Sequence, residues 1–291
     1  MIATLRPGPA LRERTTIGIG GICLAEAVLH TEQDLDQLAA FLAAEPGRPF
    51  VIGAGSNLLA ADRGLDLVLI QTKNSEFMIK DLGDSALVRV GAGMKLPVLL
   101  SKLHKAGLGG LEGLAGIPGT VGGALAMNAG SWGVEMADRV KRAALWTPLV
   151  GLSVIEREDM QFGYRSFNPG LAGKWLAWAL ELVLPRADSA AIQQAMTENM
   201  NKKKAAQPMG ESTAGCVFKN PDGMSAGKLL DQAGMKGKAV GDMEFSGLHA
   251  NFLVNRGKGT FAQAMELLDT GKEAVAKHCG ITLETEVIIL T

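Results

Sequence analysis

The chain has 291 residues, of which 47% are hydrophobic and 20% charged, with a net charge of -1. That length supports two or three domains with a sizeable core, and the apolar content excludes a disordered chain. The charge balance excludes a general nucleic-acid binder, and three widely spaced cysteines with no CxxC support neither a disulfide scaffold nor a zinc site. Residues 1–14 read as a loose arm broken by Pro7, Gly8 and Pro9, without a signal-type apolar segment. Thr15–Gly21 reads as a strand and turn. Thr31 caps a predicted helix running to about Ala44, with Leu35, Leu38 and Leu42 on one face. Phe50–Ile52 and Asp66–Gln71 read as buried strands, completing a β-α-β-β lobe.

Further along, Phe77–Ile79 and Ala86–Val90 form a predicted hairpin, followed by a helix at Lys95–Lys105 with a leucine stripe. Arg139–Trp146 and Trp175–Leu184 read as strands, separated by an aromatic-flanked segment at Gln161–Phe167. A helix is expected over Ala187–Lys204, and its Lys202-Lys203-Lys204 end reads as a solvated terminus favourable to the helix dipole. After a break at Gln207–Gly210, a short helix is expected at Ser225–Ala233 and a strand at His249–Asn255. Thr260 and Gln263 form a capping box for a further helix. The chain closes on a predicted strand, Ile281–Leu290, whose alternation puts Glu284 and Glu286 on one face with Ile288 and Leu290.

Two glycine-rich turns stand out. Gly107–Gly133 holds ten glycines in 27 residues and one charge, Glu112. Such a run loses much entropy on ordering, so something must order it: a tight packing crossing, or a flat, partly anionic ligand met by main-chain amides. Thr120, Asn128 and Ser131 among the glycines favour the ligand. The second turn, Gly53-Ala54-Gly55-Ser56-Asn57, follows a predicted strand but has Leu58 where a dinucleotide fingerprint needs its third glycine. Alone it does not distinguish a phosphate cradle from a plain tight turn.

Other chemistry lacks support. No GxxxxGK[ST], HExxH or GxSxG occurs, and the four histidines have no ligand spacing, so no metal site is expected. Three polar residues remain unexplained: Arg165 between aromatics, Cys216 in a glycine turn and Glu286 near the end.

Several blocks in this order resemble the UDP-N-acetylenolpyruvoylglucosamine reductase (MurB) family. They are TTIGIGG, VIGAGSNLL, GLAGIPGTVGGALAMNAGSWG, GYRSF, GCVFKNP and LETEV, and they cover nearly the whole chain. The resemblance implies an α+β protein with a two-lobed FAD-binding fold of vanillyl-alcohol-oxidase type and a C-terminal α+β substrate-binding domain. The implied boundaries are 1–74, 75–205 and 206–291. It also implies noncovalent FAD, NADPH as co-substrate, small-molecule substrates, and a cytoplasmic monomer with neither nucleic-acid nor membrane partners. The tyrosine-bearing insertion of the larger subtype is missing, so the chain resembles the compact form.

Carried over residue by residue, the resemblance assigns Gly53, Ala54, Gly55, Ser56, Asn57, Gly116, Gly119, Thr120, Gly122, Gly123, Asn128, Ala129 and Gly130 to the cofactor. Tyr164, Lys219 and Asn220 are assigned to the UDP-sugar. The implied reaction reduces an enolpyruvyl ether with hydride from flavin N5. Arg165 and Glu286 would polarise the adjacent carboxylate, the arginine fork suiting bidentate binding. Glu286 helps only as the neutral acid, which burial beside Ile288 would favour. Cys216 would protonate the carbon bearing the ether, in a place where the family usually has serine. A thiol is the stronger acid but can also oxidise. Two smaller departures are the tight Arg165-Ser166-Phe167, where an extra residue is expected, and Thr285, where proline is common.

Overall fold

Alternating burial along Cys23–Leu29 makes this stretch a strand that sequence reading passed over: Cys23, Ala25, Ala27 and Leu29 face inward. In the computed structural model, which describes residues 2–291, it lies in a four-stranded sheet ordered Ala3–Leu5, Cys23–Leu29, Leu65–Thr72, Arg48–Val51. The expected N-terminal arm is therefore partly wrong. Ala3–Leu5 pairs antiparallel with Glu26–Val28, and main-chain pairing satisfies its polar groups despite the nearby prolines. Thr15–Gly21 is a run of turns rather than a strand, with Ile17 and Ile19 fully buried.

The chain divides into two compact units. The first comprises the residues up to Arg6, Ala25–Ala54 and Leu67–Lys202; the second comprises Pro7–Leu24, Gly55–Asp66 and Lys203–Thr291. In the first, helix α1 (Glu32–Ala44) starts at a capping box, Asp34 accepting the amides of His30 at 2.7 Å and Thr31 at 2.9 Å. These bonds favour the ionised carboxyl and lower its pKa. Leu35 and Leu38 of α1 pack with Ala27, Ile70, Trp146 and Trp178. A five-stranded antiparallel sheet follows, ordered Gly151–Glu156, Val140–Thr147, Leu176–Pro185, Ser85–Gly91, Phe77–Asp81. The predicted hairpin and both long strands are found there; the edge strand Gly151–Glu156 was not foreseen. Helices α2 (Leu96–Lys105) and α3 (Val121–Ala126) contribute to the core built on this sheet.

Helix α4 (Ser189–Ala206) departs from expectation at its basic end. Lys203 is only 2% exposed, and burial pushes its ammonium from the ordinary 10.5 down to about 8. The bland reading of three solvated lysines therefore fails at the middle one.

The second unit carries the four-stranded sheet Thr213–Cys216, Phe252–Asn255, Met243–Phe245, Ala239–Val240. Helices α5 (Ala226–Gln232) and α6 (Phe261–Cys279) share a core with it around Phe218, Phe245, Leu230, Leu267 and Leu268. Helix α6 has the foreseen capping box at Thr260 and Gln263. Leu58–Ala60 pairs parallel with Ile288–Leu290. Only these last residues of the expected C-terminal strand are regular. Up to Val287 the chain runs as an irregular segment, whose amides at Glu286 and Val287 turn to the carbonyl of Val217.

Lys203 gives a pH signature. The unfolded chain keeps this proton to a higher pH than the folded chain does, so stability rises as pH moves from about 8 towards 10.5. Chemical denaturation across that range is expected to show the rise in the parent chain and a flatter profile in Lys203→Met.

Candidate active site

Where glycine lets two backbones approach, the first unit forms a cradle. A methyl group on Gly53 would lie 2.6 Å from Oγ1 of Thr120, whose hydroxyl accepts the amide of Gly123 at 3.2 Å and caps α3. Gly53, Thr120, Gly122 and Gly123 all line one cavity of about 390 Å³, with Phe50, Ile52, Trp146 and Trp175 supplying apolar wall. That volume lies within the roughly 300–1,000 Å³ usual for small-molecule sites.

The donor inventory of this cradle is uneven. The amides of Val121, Gly122 and Gly123 are spent on Met94 O, Ala92 O and Thr120 Oγ1. Those of Gly53 and Thr120, which line the cavity, donate to no protein acceptor among the described residues, and the same holds for Ala54, Gly116 and Gly119 outside its lining. Half-buried amides without an internal partner beside a cavity suit anionic oxygens. The chemistry of this wall thus fits the pyrophosphate and aromatic parts of a dinucleotide such as FAD.

Other residues from the glycine blocks have protein contacts of their own. Asn128 is 1% exposed and adopts φ 39°. Its Nδ2 donates to Glu135 Oε2 at 2.8 Å and to the carbonyl of Gly163 at 3.1 Å, while its Oδ1 accepts the amide of Ala137 at 3.0 Å. Ala129 bonds to Ala124 O and to the amide of Met136, and a methyl on Gly130 would meet Glu135 at 2.7 Å. Gly55, Ser56 and Asn57 belong to the second unit. There, a side chain on Gly55 would run into the carbonyl of Arg14, and φ of +64° adds strain for any other residue.

Tyr164 and Arg165 form the tip of a hairpin, Gln161–Gly163 paired with Ser166–Asn168. Phe162 and Phe167 stack across it at 4.8 Å, and Phe167 meets Trp175 edge-on at 5.3 Å. Arg165 holds φ 54°, a left-handed backbone that costs a non-glycine residue about 1–2 kcal/mol and concentrates at functional sites. Its guanidinium lies 5.0 Å from the Tyr164 ring centroid, and Tyr164 is 45% exposed. Only two residues, Tyr164 and Arg165, separate the paired Gly163 and Ser166, so the turn is tight.

Two of the three unexplained polar residues lie on adjoining backbone in the second unit. Cys216 ends its strand after a register shift, and Gly215 beside it takes φ +77°. The next residue, Val217, accepts the amide of Glu286 at 2.8 Å, and Asn57 Nδ2 donates to the carbonyl of Glu286 at 3.2 Å. A methyl on Gly215 would come within 3.8 Å of Ser56 O, so the Ser56-Asn57 turn, Cys216 and Glu286 gather at one place in this unit. Ile288 is 40% exposed, and the buried neighbours of Glu286 along the chain are Leu283 and Val287 instead. Lys219 Nζ pairs with Glu284 at 3.3 Å, and Asn220 Oδ1 accepts the amide that opens α5. Sequence reading missed Asn251, a polar residue inside the apolar run His249–Val254, which binds the backbone just after Cys216.

The chain has relatives among known proteins. Residues 24–149 match a family described as FAD binding domain, and residues 207–290 match UDP-N-acetylenolpyruvoylglucosamine reductase, C-terminal domain. A UDP-N-acetylenolpyruvoylglucosamine reductase from Nitratidesulfovibrio vulgaris is 45% identical over 98% of this chain and 97% of its own. Its counterpart in Oleidesulfovibrio alaskensis is 46% identical over 97% and 96%. The crystal structure of the reductase (MurB) from Thermus caldophilus superposes with a TM-score of 0.81 at 34% identity, covering 100% of this chain and 99% of that one.

The Asn128 network carries a stability prediction. Asn128→Ala strips the bonds to Glu135, Gly163 and Ala137 and leaves a strained φ, so urea denaturation is expected to show a loss of about 2–4 kcal/mol. Limited proteolysis is expected to open the Tyr164-Arg165 hairpin first.

Proposed function

The chain belongs to the UDP-N-acetylenolpyruvoylglucosamine reductase family, and from that membership we propose that it reduces the enolpyruvyl ether of UDP-N-acetylglucosamine to UDP-N-acetylmuramate for peptidoglycan synthesis. FAD would be held noncovalently, by the Gly53–Asn57 turn and the Gly116–Gly123 stretch. No histidine lies in either turn to tether it. When bound, FAD would supply the hydride chemistry that links NADPH to the methylene carbon of the enolpyruvyl group.

This chain's residues supply the rest. Adding hydride to an electron-rich enol ether becomes feasible when the neighbouring carboxylate takes up the charge. Arg165 suits that role, since its fork pairs both carboxylate oxygens and its strained turn fixes the direction of the side chain. Glu286 would assist at the same carboxylate by donating a hydrogen bond, a role open only to its protonated form. Preorganised charge stabilisation of this type is usually the largest catalytic contribution. The Cys216 thiol then protonates the carbon bearing the ether.

The observation carrying this assignment is the shared anchor of Cys216 and Glu286: residue 217, next to the thiol, binds the amide of Glu286. Lys219 and Asn220, which follow on that segment, are the proposed contacts to the UDP-sugar, and Tyr164 is proposed for the same role. The Lys219–Glu284 pair is exposed and weak, so a diphosphate can displace the carboxylate. The proposed division is a first FAD lobe over 1–74, a second over 75–205 and a substrate domain over 206–291, working as a cytoplasmic monomer. Among the described residues no helix is long and apolar enough to cross a membrane.

Visible absorption tests the reading. The FAD-loaded protein is expected to lose its yellow flavin band on anaerobic NADPH and to recover it on adding the enolpyruvyl UDP-sugar. Cys216→Ala is expected to bleach normally but lose product formation by roughly 10²–10⁴-fold, the usual worth of a general acid. Cys216→Ser is expected to remain active and to resist peroxide. A colourless protein after FAD loading, or unimpaired turnover in Cys216→Ala, would sink the assignment.

A further inference from the structure

Past Cys216 the regular strand ends, yet the next three residues are held on both sides. The amide of Val217 donates to the carbonyl of Asn251 at 2.9 Å, while its carbonyl accepts from Glu286. The amide of Lys219 donates to Glu284 O at 2.9 Å. Between them, Phe218 lies opposite Thr285, with its own amide and carbonyl turned away from that bridge. A side chain meets them there. Oδ1 of Asn251 accepts the Phe218 amide at 3.0 Å, and Nδ2 donates to the Phe218 carbonyl at 2.8 Å. One carboxamide thus satisfies both polar groups of one buried peptide residue, as a neighbouring strand would.

The clamp is itself fixed. Asn251 is 2% exposed, and its amide donates to Nδ1 of His249 at 3.2 Å. That bond makes Nδ1 the acceptor and places the proton of the neutral ring on Nε2. Ser246, also buried, accepts the amide of Leu248 at 3.1 Å and so shapes the loop leading to Asn251. Phe218 is fully buried against Phe245, with ring centroids 6.5 Å apart.

We propose that Asn251 is a positioning residue for proton delivery from Cys216: its carboxamide fixes the Val217-Phe218 backbone, and with it the placement of the thiol relative to Glu286. This rests on the role given to Cys216 above. Asparagine alone fits the demand. Aspartate has the same reach but no donor for the Phe218 carbonyl, glutamine is one methylene too long, and alanine leaves two buried main-chain groups unpaired. A shift of about 1 Å in a reacting group can cost roughly 10²-fold in rate.

Anaerobic stopped-flow on the FAD-loaded protein separates the two half-reactions. Asn251→Ala and Asn251→Asp are expected to keep flavin reduction by NADPH within about 2-fold of the parent and to slow reoxidation by the enolpyruvyl UDP-sugar by roughly 30-fold or more. In a Cys216→Ala background the same Asn251→Ala change is expected to cost less than about 3-fold, because the group it positions has gone. Without FAD or substrate, hydrogen exchange is expected to speed up at Phe218 and Glu286 and not at the core of α6. If Asn251→Ala does not fold, Asn251→Asp and Asn251→Ser carry the same measurements. Equal loss of both half-reactions, multiplicative losses in the double variant, or unchanged reoxidation in these variants overturns the proposal. Failure of the parent protein itself to reoxidise with the sugar overturns the functional reading instead.

Discussion

The main chain of one residue ties two segments of the second unit together. Val217 gives its N–H to Asn251 and takes the amide of Glu286 on its carbonyl, so a strand end and the C-terminal segment meet across a single residue. Buried backbone groups must find partners, and leaving one unpaired costs about 1–3 kcal/mol. Because both partners come from distant parts of the sequence, this requirement draws together residues that separation along the chain would scatter. The bulge before it, with Gly215 at φ +77°, ends the regular pairing and lets Cys216 depart from the alternation of its strand.

The first unit solves a similar problem with the same residue type. Asn128 binds the carbonyl of Gly163 and so anchors the hairpin whose tip carries Tyr164 and Arg165. Asn251 holds the residues following Cys216. In both places a buried carboxamide replaces a strand, giving a loop the order of a ladder without its regular twist. Such loops can carry a strained residue, since the surrounding bonds over-determine the backbone and absorb the cost of φ 54° at Arg165.

Periodicity made much of this fold legible. The helices at 32–44, 96–105 and 261–279, the hairpin at 77–91 and the long strands at 140–147 and 176–185 all follow from repeats of 3.6 or 2 and from capping residues. The elements that were missed have weak local signals. Ala3–Leu5 sits beside prolines and is recruited by a partner far along the chain, and Cys23–Leu29 is rich in alanine, a poor strand former. Ile281–Val287 alternates well but is irregular, because its amides answer to Val217 rather than to a continuous neighbour. Lys203 shows the limit of composition: three consecutive lysines look alike in sequence, while the helix turns one of them inward.

The glycine turns illustrate the same limit at the site. Their sequence pointed to anion-binding amides, and counting donors divides them in two. The start of α3 spends its amides on Ala92, Met94 and Thr120, so it is a packing device. Thr120, just before it, and Gly53 line the cavity and keep amide donors that no protein acceptor takes up. Glycine therefore serves two ends in one stretch. It lets α3 settle against the sheet, where a methyl on Gly122 would meet Ala92 at 3.0 Å, and it keeps the adjoining main chain bare enough for a ligand to reach. Each end needs the other: amides can point into a cavity without a protein partner only when the turn presenting them is pinned by neighbours whose own bonds are complete.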